Sequence, residues 1–168
     1  MLVPALVPEP LWGLSAAAKL PRSQWQAIRA EALRLGDSRC AHCGTRHDKG
    51  LVCHELWDYG EDDFVATLAG FQIVCRDCTS VHHIGRAAKL GFKEQALAHM
   101  ATVNGTSVEK AVNDADAAYL LWRERSDHGW RIRVDEMLLR AYPQLATIDG
   151  LAGNPGDGRR RLDHREIR

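Results

Sequence analysis

Five cysteines, Cys40, Cys43, Cys53, Cys75 and Cys78, fall within a 39-residue window of a 168-residue chain. Four of them form two C-x-x-C turns, Cys40-Ala-His-Cys43 and Cys75-Arg-Asp-Cys78, separated by 31 residues. Each such turn offers a pair of thiolates from one tight loop. Two pairs complete the tetrahedral sulfur cage that Zn²⁺ prefers, at about 2.3 Å per bond. An odd, clustered count suits metal ligation better than a disulfide framework. Four thiolates also fill the coordination sphere, leaving no position for water or substrate, so the ion is expected to be structural and to pin two strand starts together. His42 and His47 stand near enough in sequence to replace a cysteine and, with four cysteines available, read as bystanders. Cys53 reads either as a small buried hydrophobe or as a soft metal ligand.

The remaining chemistry lies between and just after these turns: Leu51-Val52-Cys53-His54-Glu55-Leu56-Trp57, then His82-His83. A C-x-x-C, a strand bearing His, a hydrophobic segment into a second C-x-x-C, and a downstream His resembles the HNH endonuclease family (His-Me finger, ββα-metal), particularly its zinc-stapled members in phages and bacteria. The wording Cys53-His54-Glu55-Leu56-Trp57-Asp58-Tyr59 and His83-Ile84-Gly85 is similar to an HNH-nuclease-like subgroup. The likeness continues through Val103-Asn104-Gly105 and residues 122–130; the motif itself spans 40–85. The resemblance implies hydrolysis of DNA phosphodiesters, with His54 as the base that takes a proton from water and His83 as a ligand of a catalytic Mg²⁺, Mn²⁺ or other divalent ion. His82 is the alternative ligand, displaced by one residue, and since adjacent helical residues point about 100° apart the two are not expected to serve one ion equally. The chain departs from the family pattern at three positions. Gly70 falls where the motif's Asn is expected, Thr79 where a His often follows the fourth cysteine, and Cys53 where an acid or His commonly precedes the base. Glu55, Asp58 and Asp77 are the nearby carboxylates, although Glu55 alternates away from His54 on a strand.

A nuclease must neutralise phosphates, and this chain carries 22 Lys+Arg against 22 Asp+Glu, so charge has to be segregated. Arg39, Arg46, Lys49, Arg76, Arg86, Lys89 and Lys93 surround the Cys turns, whereas residues 109–127 hold five acids and three bases. Arg76, Arg86 and Lys89 are the candidate nucleic-acid contacts, Arg86 and Lys89 sharing one helix face. Opposing this, residues 55–63 contain five acids. The competing readings are a catalytically degenerate HNH-like zinc module that binds DNA or a protein partner without cleavage, and a structural accessory protein.

These residues need elements to hold them. Residues 1–21 carry four of the six prolines and predict an extended arm with Leu11 and Trp12 laid on the body. Ser23 with Gln26 makes a capping box for a helix closed by Gly36. Strands are predicted at 51–57 and 71–74 around a loop at Glu61-Asp62-Asp63, followed by a helix over about 80–90. Further helices are expected over 91–103 and from a Thr106/Glu109 capping box along Val108, Val112, Ala115, Tyr119 and Trp122, with an edge strand at 130–135 and a short helix at 135–141. The fold class is therefore α+β: a zinc-stapled ββα-metal (HNH) finger at 37–91, preceded by an arm and helix at 1–36. A helical extension with a short strand follows at 92–148, then a mobile basic tail at 149–168 containing Arg159, Arg160 and Arg161. Apolar residues make up 45% and charged residues 26%, as in ordinary globular proteins. No stretch approaches the ~20 apolar residues of a membrane span. The interrupted apolar N-terminus predicts no signal peptide, and a reducing, cytoplasmic setting follows as the expectation.

Overall fold

The computed structural model describes residues 1–156, so Arg159, Arg160 and Arg161 lie outside the described residues. The chain is mixed α+β, with one four-stranded sheet in the order β1-β2-β3-β4 and seven α-helices among the described residues. β1 (Val52–Gly60) and β2 (Val65–Val74) are sheet neighbours joined by a four-residue turn. Both strands are longer than the 51–57 and 71–74 segments expected, because the turn carries its own geometry. Phe64 sits at φ 51°, and Asp63 Oδ1 accepts the Val65 N–H at 3.2 Å. A Cβ on Gly60 would stand 2.2 Å from that same carboxylate oxygen, so a larger residue there would push the Asp63 side chain off the Val65 N–H.

From β2 the chain enters α3 (Arg76–His82), α4 (Ile84–Lys89), α5 (Lys93–Asn104) and α6 (Val108–Ser126) before reaching β3 (Trp130–Val134). β3 is parallel to β2, pairing Val65 with Arg131 and Leu68 with Val134. A parallel pair needs a long crossover, and the four helices supply it. The expectation of an edge strand at 130–135 is corrected. β4 (Ala152–Gly153) returns antiparallel on the far side, and Ile132 N–H donates to Leu151 O at 2.7 Å. Ala152 and Gly153, expected in the tail, thus complete the sheet; a two-residue strand beside glycines leaves too little periodicity to read. Trp130, Ile132 and Val134 are buried while Arg131 and Arg133 face out, which is the period-2 pattern of a half-buried strand.

Three helix boundaries also differ from expectation. α2 (Arg22–Leu35) begins ahead of Ser23, since Trp25 N–H already donates to Pro21 O, so the Ser23/Gln26 box does not form the cap. α6 is capped by Ser107, whose Oγ accepts the Lys110 N–H at 3.1 Å, while Thr106 Oγ1 is buried without a hydrogen bond. Within α6, Ala111 and Ala115 are the fully buried positions and Val108 is exposed, so small side chains permit close approach where a large stripe was expected. The helix expected over 80–90 is broken at His83, as described below. The last helix, α7 (Glu136–Ala141), has Asp135 as its N-cap, accepting from the N–H groups of Met137 and Leu138.

Contacts divide the chain into two units. Among the described residues, one comprises Met1–Leu6, Ala32–His54 and Gln72–Trp122; the other comprises Val7–Glu31, Glu55–Phe71 and residues 123–156. In the second unit the arm is folded rather than extended: a 3-10 turn at Glu9–Leu11 leads to α1 (Ala16–Lys19), with Ser15 as N-cap. Leu11 and Leu14 pack with Ala66, Trp130 and Ile132, and α1 and α2 deliver Ala16, Leu20 and Ile28 to Leu68, Val134, Leu145 and Ile148. Trp12 donates from Nε1 to Val7 O at 2.9 Å, a bond internal to the arm. Tyr59 carries the Arg125 guanidinium 4.3 Å above its ring, and Arg125 also pairs with Glu61.

The backbone of Gly153 runs against the arm, where an added Cβ would lie 1.8 Å from Pro10 O. Gly153→Ala must displace backbone, and the expected cost is about 1–3 kcal/mol, read as a drop of several degrees in thermal midpoint. An unchanged midpoint would show that the arm is not seated there.

Glu55 is half-buried on β1. Oε1 accepts the Ala17 N–H at 3.3 Å and Oε2 accepts the Trp57 Nε1–H at 3.1 Å. Burial nevertheless raises its pKa, the hydrogen bonds from Ala17 and Trp57 only partly opposing it. A carboxyl whose folded pKa is raised gives stability that is complete below the ordinary value of 4.5 and declines as pH climbs through the raised value. The stability of Glu55→Gln relative to the unmutated protein is therefore expected to grow as pH rises above 4.5, measured by denaturant titration between pH 4 and 7.5. A pH-independent difference would place the carboxylate in water.

Candidate zinc cage and histidine cluster

The first Cys turn is closed by short-range backbone bonds: Gly44 N–H to Cys40 O at 2.9 Å, Cys40 N–H to Thr45 O at 3.0 Å, and a bridge between Arg39 and Arg46. Ala41 N–H reaches Ile73 O at 2.8 Å, which fastens this turn to the end of β2. The second turn is a helix start. Cys75 is the N-cap of α3, its Sγ accepting the Cys78 N–H at 3.5 Å, and Thr79 Oγ1 donates to Cys75 O at 2.8 Å. Helix N-termini favour anions, so a thiolate suits this cap.

The ligand atoms of Cys40, Cys43, Cys75 and Cys78 all lie within 4.8 Å of one another, the one such group of three or more Cys, His, Asp or Glu residues among the described residues. Cys43 Sγ stands 3.8 Å from Cys75 Sγ. A tetrahedron with bonds of 2.3 Å has edges of about 3.8 Å, so the spacing fits zinc. Cys40, Cys75 and Cys78 are nearly inaccessible. Burial raises the Cys75 and Cys78 thiols, whereas at Cys40 the effect of burial is outweighed by the N–H groups of Cys43, Cys75 and His42, which bring it down to about 7. Four such sulfurs are held as thiolates together only when a cation compensates them. The four cysteines can therefore coordinate a structural ion such as zinc. Cys53 is buried on β1 and is not one of these four sulfurs, which leaves it as the small buried hydrophobe of the sequence reading.

His99, on α5, places Nε2 3.2 Å from Cys78 Sγ. A ring N–H donated to a thiolate stabilises its charge, and outer partners of this kind typically contribute about 10-fold or more to metal affinity. His99→Ala is expected to surrender zinc to a competing chelator at about 10-fold lower chelator concentration. Equal retention would mean that the contact carries no energy. No motif pointed to His99, which arrives from a helix 21 residues beyond Cys78.

The cage holds a second group of residues in one place. His54 on β1 contacts two rings at once: His82 with centroids 4.7 Å apart and His83 with centroids 5.1 Å apart. The chain achieves this by ending α3 at His83, which has φ −103° and ψ 47° and serves as both the C-cap of α3 and the N-cap of α4. His82 consequently points inward and is 3% exposed, while His83 is exposed. His42, read from the sequence as a bystander, belongs to the group as well: its Nε2 lies 2.9 Å from His82 Nε2 and 3.4 Å from Gln72 Nε2. His82 Nδ1 faces His54 Nδ1 at 3.4 Å, and His54 Nε2 is buried with no hydrogen-bond partner.

Burial, reinforced by the charges of neighbouring rings, lowers His54 to about 4 and His82 to about 3; partial desolvation lowers His42 and His83 too, with Arg86 adding to the effect at His83. All four imidazoles are therefore neutral at physiological pH. The cluster contains no carboxylate. Glu55 instead accepts from Ala17 and Trp57, and Asp77 does not join the histidines in a metal-binding group among the described residues. Imidazole-only donors suit a borderline transition ion and do not fit hard Mg²⁺ or Mn²⁺, which take carboxylate and water oxygens.

Arg76, Arg86 and Lys89 are exposed on α3 and α4. No helix among the described residues is long and apolar enough to cross a membrane. No family profile, no curated protein and no solved structure matches this chain.

Proposed function

We propose that this chain is an HNH-type endonuclease that hydrolyses phosphodiester bonds in DNA with the help of a divalent ion, on a zinc-stapled strand–strand–helix finger. The observation that carries this reading is the contact between His54 and His83, with ring centroids 5.1 Å apart on two elements that both adjoin the four-thiolate cage. His54 is neutral at working pH and its Nε2 makes no hydrogen bond, so its lone pair is uncommitted and would take a proton from a water admitted beside it as the water oxygen attacks phosphorus. The P–O bond to the leaving sugar oxygen then breaks, and that oxygen takes up a proton. His83 would hold the divalent ion, which when bound supplies charge neutralisation on the scissile phosphate and makes the attacking water more acidic. Arg86, close enough to depress His83, adds a fixed positive charge beside that phosphate, and Lys89 one turn on would grip the neighbouring strand. Arg76 at the start of α3 extends the same basic path.

A second reading has its own observation. His54 Nε2 is sealed from solvent, and Gly70 occupies the position of the family's Asn. Both favour a non-cleaving zinc module that binds DNA or a protein partner. The two readings separate in a plasmid-nicking assay on zinc-loaded protein with Ni²⁺, Co²⁺, Mn²⁺ or Mg²⁺ added. Cleavage is expected, strongest with the transition ions. Salt-dependent DNA binding without nicking in any ion would favour the second.

A further inference from the structure

We propose that His82 is a positioning residue for His54, the centre of a one-directional imidazole relay that holds a proton on His54 Nδ1 and keeps Nε2 bare; the catalytic meaning of this relay rests on the nuclease reading above. His82 uses both ring nitrogens, Nε2 toward His42 at 2.9 Å and Nδ1 toward His54 at 3.4 Å. A neutral imidazole has one N–H and one lone pair, so one of these contacts is donated and the other accepted. The direction is set at the far end. The Gln72 amide presents Nε2, a donor only, to His42 Nε2 at 3.4 Å. His42 Nε2 must then be the bare nitrogen, because an N–H there would confront the amide N–H of Gln72. His82 Nε2–H donates to His42, His82 Nδ1 is left as an acceptor, and His54 Nδ1–H donates to it. By elimination His54 Nε2 carries no hydrogen.

The environment of His54 agrees with this direction. Its Nε2 is buried with no partner, and an orphaned buried N–H is rarer than an orphaned acceptor. The backbone of His82 is also fixed, since its carbonyl accepts the Ala5 N–H at 3.1 Å. Nothing in the relay requires a change of net charge; it fixes which nitrogen bears the proton.

The test is long-range ¹H–¹⁵N correlation spectroscopy of histidine-labelled, zinc-loaded full chain at pH 7.5, which distinguishes the two neutral tautomers directly. His54 is expected as the Nδ1–H form. In His82→Phe the acceptor is gone, and His54 should move to the Nε2–H form. In Gln72→Glu, where the half-buried side chain becomes an acceptor, the relay should reverse and His54 again become Nε2–H. His82→Gln, whose amide can accept from His54 while donating to His42, should restore the Nδ1–H form. Nicking should follow the tautomer, falling about 100-fold in turnover in His82→Phe and Gln72→Glu with little change in KM, and recovering in His82→Gln. An Nε2–H form in the unmutated protein, or a tautomer indifferent to Gln72→Glu, overturns the relay. An unmutated protein that shows the Nδ1–H form yet cuts no DNA leaves the relay standing and removes the nuclease reading.

Discussion

Replacing Cys78 by Ser is expected to release zinc and unfold the segments it joins. Cys78 is fully buried and contributes one of four sulfurs, and a serine hydroxyl at that position neither ionises readily nor binds zinc comparably. Metal affinity at such sites is expressed as folding energy, on the order of 10 kcal/mol in isolated fingers, which is comparable to the whole stability of a domain at about 5–15 kcal/mol. Few single substitutions elsewhere in the chain reach that scale. The measurement is zinc content per chain, together with hydrogen exchange across residues 32–54 and 72–122. Loss of the ion with collapse of protection there is the expected result. One zinc per chain and unchanged protection would mean that the four sulfurs are not the site. EDTA in excess should reproduce the variant's behaviour in the unmutated protein, slowly, because the cage is buried.

His54→Ala has the second large effect, and it falls on activity. If His54 is the base, nicking should drop by about 10²–10⁴-fold, with zinc content preserved, since the imidazole is not part of the thiolate cage. Some stability is also lost, because His82 Nδ1 is left without its partner; the expected cost is about 1–3 kcal/mol, well below that of Cys78→Ser. Activity and stability therefore separate between the two variants, and the pair of measurements is more decisive than either alone. Equal nicking by His54→Ala and the unmutated protein would attribute the cleavage to a contaminant and end the case for hydrolysis at this site.

The four-cysteine group was legible in the sequence because its members come in two local pairs, and local spacing survives whatever fold surrounds it. His54 and the His82-His83 pair stood out for the same reason. The partition between His82 and His83 did not. It depends on a helix break at His83 that no proline or glycine announces at that position, and on Ala5 reaching across to the carbonyl of His82. His42, Gln72 and His99 were missed because each is brought in by tertiary contact from a different element, at separations of 40 residues for His42–His82 and 21 for Cys78–His99. In the sheet, β1 and β2 were found in part by their composition, but the central position of β3 depends on Ala152–Gly153, a partner with almost no side chains to betray it. Residues 106–107 show a subtler failure. Two adjacent hydroxyl residues offer nearly the same capping signature, and the helix phase, fixed by burial of Ala111 and Ala115, selects Ser107.

The first residues of the chain have a consequence for anyone who handles the protein. Leu2 is clamped by both polar atoms of the Asn104 side chain, its N–H at 2.8 Å from Oδ1 and its carbonyl at 2.7 Å from Nδ2, and three residues later Ala5 bonds to His82. Proteolytic trimming of even five residues would strip a hydrogen bond from the peptide unit that aims a buried ring, far in sequence from anything resembling a motif. Preparations that differ only in their leading residues are thus not interchangeable, and intact-mass verification of the amino terminus belongs beside every activity measurement.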